Sequence, residues 1–124
     1  MPPPVSTVVA RNSDGWSASA GASGIVNTTT AVTLKAAAPA GFRNFLTDLQ
    51  IASDTLGAAT ELAIRDGAAG TVIWRGKLQT SPLGLMSINF TTPLAGTGTN
   101  LLEVATLTAV TGGVYVNAQG YVAA

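Results

Sequence analysis

Six carboxylates, Asp14, Asp48, Asp54, Glu61, Asp66 and Glu103, are the side chains of this 124-residue sequence best suited to acid–base chemistry, because histidine and cysteine are both absent. Glycoside hydrolysis would need two of them facing each other across a cleft. Calcium binding would need several sharing a loop with backbone carbonyls. No Asp-x-Asp-x-Asp run gathers them, and no aromatic cluster stands beside any of them. Each reads as a turn former, as with Asp66 before Gly67, or as one half of an interface salt bridge. Disulfides, thiolate nucleophiles, histidine bases and Cys/His metal sites are ruled out by composition. Residues 70–78 come nearest to a phosphate loop. They carry one residue too many between Gly70 and Gly76, and Leu78 stands where Ser or Thr would hold magnesium. The same residues read better as the return strand of a hairpin, with Trp74 packed and Arg75 and Lys77 solvated. The expectation is a protein that is not an enzyme and uses neither cofactor nor metal.

Aromatic side chains offer a second kind of site. Trp16, Trp74, Tyr115 and Tyr121 would make a sugar-binding platform if they were brought together, since a flat ring stacks on a pyranose. The spacing on the last β-type run favours a different reading. Tyr115, Asn117, Gln119 and Tyr121 alternate with Val114, Val116, Ala118 and Val122, so one face is apolar and the other presents tyrosines and neutral amides. Such a mixture is typical of subunit contacts.

The elements that must position these residues are set by composition. Charged residues make up 10% of the chain, against about a quarter in an average domain. They cancel to a formal net charge of zero. Binding to nucleic acid through bulk electrostatics is therefore excluded. Hydrophobic residues reach 47%, and the only lysines are Lys35 and Lys77. Near-zero charge favours association, and a scarcity of long charged side chains suits a surface covered by other protein. No run of about 20 apolar residues is present to span a bilayer, and residues 1–4 lack the basic start of a secretory leader. Synthesis in the cytoplasm is the expectation. The sequons at Asn27 and Asn89 then read as accidents of a Thr-rich β protein.

A chain of this length supports one core and one domain. Residues 1–24 read as an extended N-terminal arm: three prolines, a β-type stretch at residues 5–10 that includes Val5, Val8 and Val9, and Trp16 as its one large apolar anchor. From residue 25 to 124, short alternating runs are broken by Gly, Pro, Asn and Asp. Strands are predicted at 25–35, 43–53, 60–66, 71–78, 85–90, 101–107 and 114–122, with Phe45, Thr47, Leu49 and Ile51 sharing a face of the second. Residues 66–70 form a glycine-bounded hairpin turn. With a strand from the arm this makes about eight, all antiparallel, and a jelly-roll-like β-sandwich buries eight such strands.

Four segments carry a resemblance. They are Thr60-Glu61-Leu62-Ala63-Ile64-Arg65-Asp66-Gly67, Val72-Ile73-Trp74-Arg75-Gly76, Ile88-Asn89-Phe90-Thr91-Thr92-Pro93-Leu94, and Val114-Tyr115-Val116-Asn117-Ala118-Gln119-Gly120-Tyr121-Val122. Together they resemble the small structural proteins of tailed bacteriophages, the capsid cement or decoration proteins with a jelly-roll body, over residues 25–124. The Asn-Ala-Gln-Gly-Tyr run is the most specific piece. What the resemblance implies is a bacteriophage virion protein on the outer surface of the capsid, bridging major capsid protein subunits and stabilising the head. A homo-oligomer, trimer in preference to dimer, is expected, with no nucleic acid or membrane as partner. Interface residues would be Val5, Val8, Val9 and Trp16 in the arm and Tyr115, Asn117 and Tyr121 on the last strand. A head-fibre or tail module recognising host glycan is the alternative, and a tail or neck structural protein the second.

Overall fold

The computed structural model describes residues 13–20 and 26–124. Eight strands run in the order β1 (Ser13–Ser19), β2 (Val32–Lys35), β3 (Arg43–Ser53), β4 (Thr60–Asp66), β5 (Thr71–Leu78), β6 (Leu83–Ala95), β7 (Leu102–Thr106) and β8 (Val114–Ala123). No helix occurs among the described residues. The pairings β1 with β8, β2 with β7, β3 with β6 and β4 with β5 are those of one long hairpin doubled back at the β4–β5 turn. Wrapping that hairpin adds β3–β8 and β4–β7, which closes two four-stranded sheets, β1-β8-β3-β6 and β2-β7-β4-β5. All of these pairings are antiparallel, and the strand order is that of a jelly roll. The eight-stranded β-sandwich expected from the sequence is the fold observed.

Alternation builds the core. Leu46, Leu49 and Ile51 of β3, Leu62 and Ile64 of β4, Leu102 and Val104 of β7, and Val114, Val116 and Ala118 of β8 are fully buried between the sheets. Each buried Leu, Ile or Val contributes about 1.5–3 kcal/mol relative to exposure. On β5, Trp74 faces Ile64 across the pair and its ring lies over Gly76, where an added Cβ would come within 2.5 Å of it. The hairpin turn is held by its own glycines, with the Gly70 N–H donating to the Gly67 carbonyl at 2.9 Å. Gly67 takes φ +91° there and Ala69 φ +53°. Glu103 accepts a hydrogen bond from the Ala69 N–H at 2.9 Å, which holds that left-handed residue in place.

Three elements depart by several residues from the bounds read in the sequence. Within the segment 1–24 read as an arm, Ser13–Ser19 is an edge strand of the sandwich, in register with β8 from Ser13 opposite Ala123 to Ser19 opposite Asn117. The sandwich therefore starts before residue 25; a Ser/Gly/Ala-rich run has little β preference of its own and acquires it from its neighbour. The strand expected at residues 5–10 lies outside the described residues. The run 25–35 contributes a strand only at Val32–Lys35; Thr28, Thr29 and Thr30 are exposed bends, and the Thr28 carbonyl accepts the Thr106 N–H instead. β6 is longer than predicted and continues through Pro93, which an edge strand tolerates because the missing N–H can face outward.

β3 has the predicted bounds but not a single phase. Between Leu46 and Asp48 the chain spends two steps against one step of β8, from Gly120 to Gln119. This bulge at Thr47 reverses the alternation. Leu46 joins Leu49 and Ile51 in the core, whereas Phe45 moves to the outer face with Asp48 and Gln50.

Candidate interaction face

The outer face of the β1-β8-β3-β6 sheet is assembled by register. Val114, Val116 and Ala118 are buried, so Tyr115, Asn117, Gln119 and Tyr121 point away from the core. Pairing sets them in rows across the sheet. Ser19, Asn117, Gln50 and Ser87 form one row; Ser17, Gln119, Asp48 and Asn89 the next; Gly15, Tyr121, Phe45 and Ala95 a third. The reversal at Thr47 is what brings Asp48 and Gln50 beside the amides of β8.

Hydrogen bonds knit the rows. Ser19 Oγ donates to Asn117 Oδ1, and Gln119 Nε2 donates to Gln50 Oε1 at 2.8 Å. Asn89 Nδ2 donates to Asp48 Oδ1 at 2.7 Å, and the Thr47 hydroxyl donates to Asp48 Oδ2 at 2.8 Å. These two bonds, Asn89 first, favour the ionised carboxylate and hold Asp48 below its ordinary pKa. Asp48 is the one residue in the three rows that is charged at neutral pH. Phe45 and Tyr121 stack with centroids 4.8 Å apart, and the Arg43 guanidinium lies 5.9 Å from the Phe45 ring. At the other end of β8, the Tyr115 hydroxyl donates to Asp54 Oδ2 at 3.0 Å, and the Gly113 N–H donates to the same oxygen at 3.1 Å. The bond to Asp54, with the repulsion of its charge, raises the Tyr115 pKa. The result is a nearly uncharged strip of amides and hydroxyls with an aromatic pair at one end.

Of the interface residues expected from sequence, Tyr115, Asn117 and Tyr121 lie on this face. Trp16 does not: it stands opposite Gly120, points inward, and packs against the core with its ring where a Gly120 side chain would be. Val5, Val8 and Val9 lie outside the described residues. Phe45, Asp48, Gln50, Asn89 and Ser19 were not singled out from sequence. The reversed phase of β3 hides Phe45; Asp48 and Gln50 lie on the face the alternation gives them but acquire partners only when β3 is set beside β8, and Asn89 and Ser19 carry no signal until their strands are placed beside β3 and β8.

The aromatic platform does not assemble. Trp16 and Trp74 face the core from opposite sheets, and about 20 Å of strand separates Tyr115 from Tyr121. Five of the six carboxylates, all but Asp14, are occupied structurally. Glu61 pairs with Arg75 at 3.2 Å and Glu103 with Arg65 at 3.4 Å. Asp66 Oδ1 accepts from the Thr97 N–H at 3.0 Å and from Asn100 Nδ2 at 3.3 Å. Among the described residues no group of three or more potential metal-ligating side chains comes together. A shallow depression of about 460 Å³ beside the start of β4 is lined by one carboxylate, Glu61, together with Thr60, Lys77 and Thr108.

No protein-family model matches the sequence, and no curated protein matches it. Among solved structures, the chain is similar to the family 32 carbohydrate-binding module from C. perfringens NanJ in complex with galactose. That match has 16% identity, covers 89% of this chain and 93% of that one, and has a TM-score of 0.41. It is also similar to the Tobacco streak virus coat protein at 12% identity, covering 92% of this chain and 88% of that one, with a TM-score of 0.44. The jelly-roll assignment rests on the chain's own strand order.

Proposed function

We propose that the protein is a non-enzymatic structural component of a tailed-phage virion that docks through the outer face of the β1-β8-β3-β6 sheet onto major capsid protein, on the outside of the head. The observation that carries this reading is the nearly neutral strip of Ser17, Ser19, Asn117, Gln119, Gln50 and Asn89 with its Phe45–Tyr121 end, in which Asp48 is the one charged side chain and is bonded within the strip by Asn89 and Thr47. A surface meant for water normally carries more charge. A surface that exchanges water for a partner's backbone and side chains is better served by neutral amides and aromatic rings, which lose less hydration on burial than charges do. The resemblance of residues 60–67, 72–76, 88–94 and 114–122 to phage decoration proteins points to the same partner. Attachment would come from area: about 1,600 Å² in total makes a standard contact without any single strong site. Bridging neighbouring capsid subunits in this way adds contacts that must break before the shell opens.

The test is binding to heads assembled without this protein, read as occupancy after sedimentation. Asn117→Lys and Gln50→Lys place a charge in the middle of the strip, and each is expected to weaken binding about tenfold or more, the cost of burying an unpaired charge. Occupancy equal to wild type for both would overturn the docking face. A glycan array separates the alternative: a specific signal lost in Tyr121→Ala would favour a receptor-binding module, and density at the tail or neck would favour the third reading.

A further inference from the structure

A jelly roll ends each sheet on two edge strands; here they are β1 and β6 in one sheet and β2 and β5 in the other. Open edges pair with other chains unless charges, prolines or bulges blunt them. Three of the four carry charge: Asp14 in β1, Lys35 in β2, and Arg75 and Lys77 in β5. β6 is the longest strand at 13 residues, and it has none. Its protective features sit towards its two ends: the register breaks between Leu83 and Met86 and again between Asn89 and Leu94, and Pro93 lies within the second break. Over Met86, Ser87, Ile88 and Asn89 the pairing with β3 is regular, residue for residue.

Exposed apolar side chains stand at the start of that regular stretch, Met86 within it and Leu85 in the irregular step just before it. Leu85 is 67% exposed and Met86 37%. A groove of about 280 Å³ beside them is lined by Leu78, Pro82 and Leu83 along with Met86, and by Lys77 from β5 with neutral polar side chains.

We infer that β6 pairs antiparallel with β6 of a second copy about a two-fold axis, joining the two β1-β8-β3-β6 sheets into one eight-stranded sheet. A second copy is the occupant because pairing a strand with itself sets like residues near one another across the axis, so any charge meets its own kind. β5 paired with itself would bring together Arg75 and Lys77 of both copies. β6 has no such penalty, and the contact buries Leu85 and Met86 from both sides. Ser87 and Asn89, members of the polar rows, would then carry the two outer faces across the joint as one strip. A two-fold joint makes a dimer, which departs from the trimer expected of the sequence.

The experiment is mass measurement by light scattering and sedimentation equilibrium on the full chain, from about 1 to 100 μM, a range that spans ordinary specific association. The expected result is a concentration-dependent dimer. Leu85→Lys and Met86→Lys are expected to weaken it tenfold or more with circular dichroism unchanged, whereas Val72→Lys on the β5 edge leaves it intact. A monomer throughout, a trimer or larger ring, or a dimer indifferent to both β6 lysines would overturn the inference. So would a dimer that disappears when residues 1–12 are deleted but survives Leu85→Lys, because that segment would then be the occupant. The measurement needs no heads, so its failure and a failure of the docking reading are separate results.

Discussion

Phe45 and Tyr121 stand directly opposite each other in the β3–β8 register, and their rings stack 12° from parallel on the outer face of the sheet. The stack exists because the bulge at Thr47 turns Phe45 outward. A double-mutant cycle of Phe45→Ala and Tyr121→Ala, followed by denaturant unfolding, is expected to give a coupling of about 0.5–1.5 kcal/mol, the value typical of a stacked aromatic pair beyond its area. Zero coupling would mean that the rings merely share a neighbourhood.

At Gly120 of β8, the backbone of β3 and the Trp16 side chain of β1 leave no room for a side chain. An added Cβ would lie 1.9 Å from the Phe45 carbonyl oxygen and 2.6 Å from the Trp16 ring. One of these obstacles is backbone, which cannot rotate away. Gly120→Ala is therefore expected to cost about 3 kcal/mol or more, at the upper end of overpacking effects, and to raise the fluorescence exposure of Trp16. A thermal melt matching wild type would refute the packing described for the β1 edge.

Asp48 titrates below an ordinary carboxylate because Asn89, and then Thr47, donate to its charged form. A lowered folded pKa means that the carboxylate's contribution is present above the unfolded value and is lost as pH falls through the folded one. Asn89→Ala should move the Asp48 titration, followed by carboxyl carbon NMR shifts, upward toward the usual range. No movement would show that the Asn89 bond does not form in solution.

Tyr115 has the opposite sign. Its phenol is held protonated by the bond to Asp54, so that contribution is present below the ordinary tyrosine pKa and lost as pH rises through the raised one. Asp54→Asn removes the charge, and ultraviolet difference titration is expected to show one tyrosine ionising at lower pH than in wild type. An unchanged titration curve would remove Asp54 as the cause.

The strands β3, β4 and β5 were legible to the residue because alternation and turn chemistry agreed there: Leu62 and Ile64 alternate with Glu61 and Arg65, and Asp66-Gly67 marks the turn. β1 was not legible, since Ser13–Ser19 has no pattern of its own and is a strand only because β8 lies beside it. Within the candidate face, the strict alternation of β8 placed Tyr115, Asn117 and Tyr121 correctly on one side. On β3, Asp48 and Gln50 lie on the face opposite Leu49 and Ile51 as the alternation has them, but Phe45 escaped because the extra residue at Thr47 reverses the phase on its side of the bulge, and nothing local announces where a bulge will fall. Trp16 was read as reaching outward. The gap at Gly120 that receives it belongs to a strand distant in sequence.

The first and last strands lie side by side, with almost the whole sequence between them. A nascent chain therefore cannot settle Trp16 over Gly120, or cover the bare flank of β3, until β8 has been made. Topologies dominated by such distant pairings fold on the slow side, in milliseconds to seconds. The incompletely made chain meanwhile shows an uncharged β6 to its neighbours, so rapid synthesis at high local concentration carries an aggregation hazard that the finished sandwich does not.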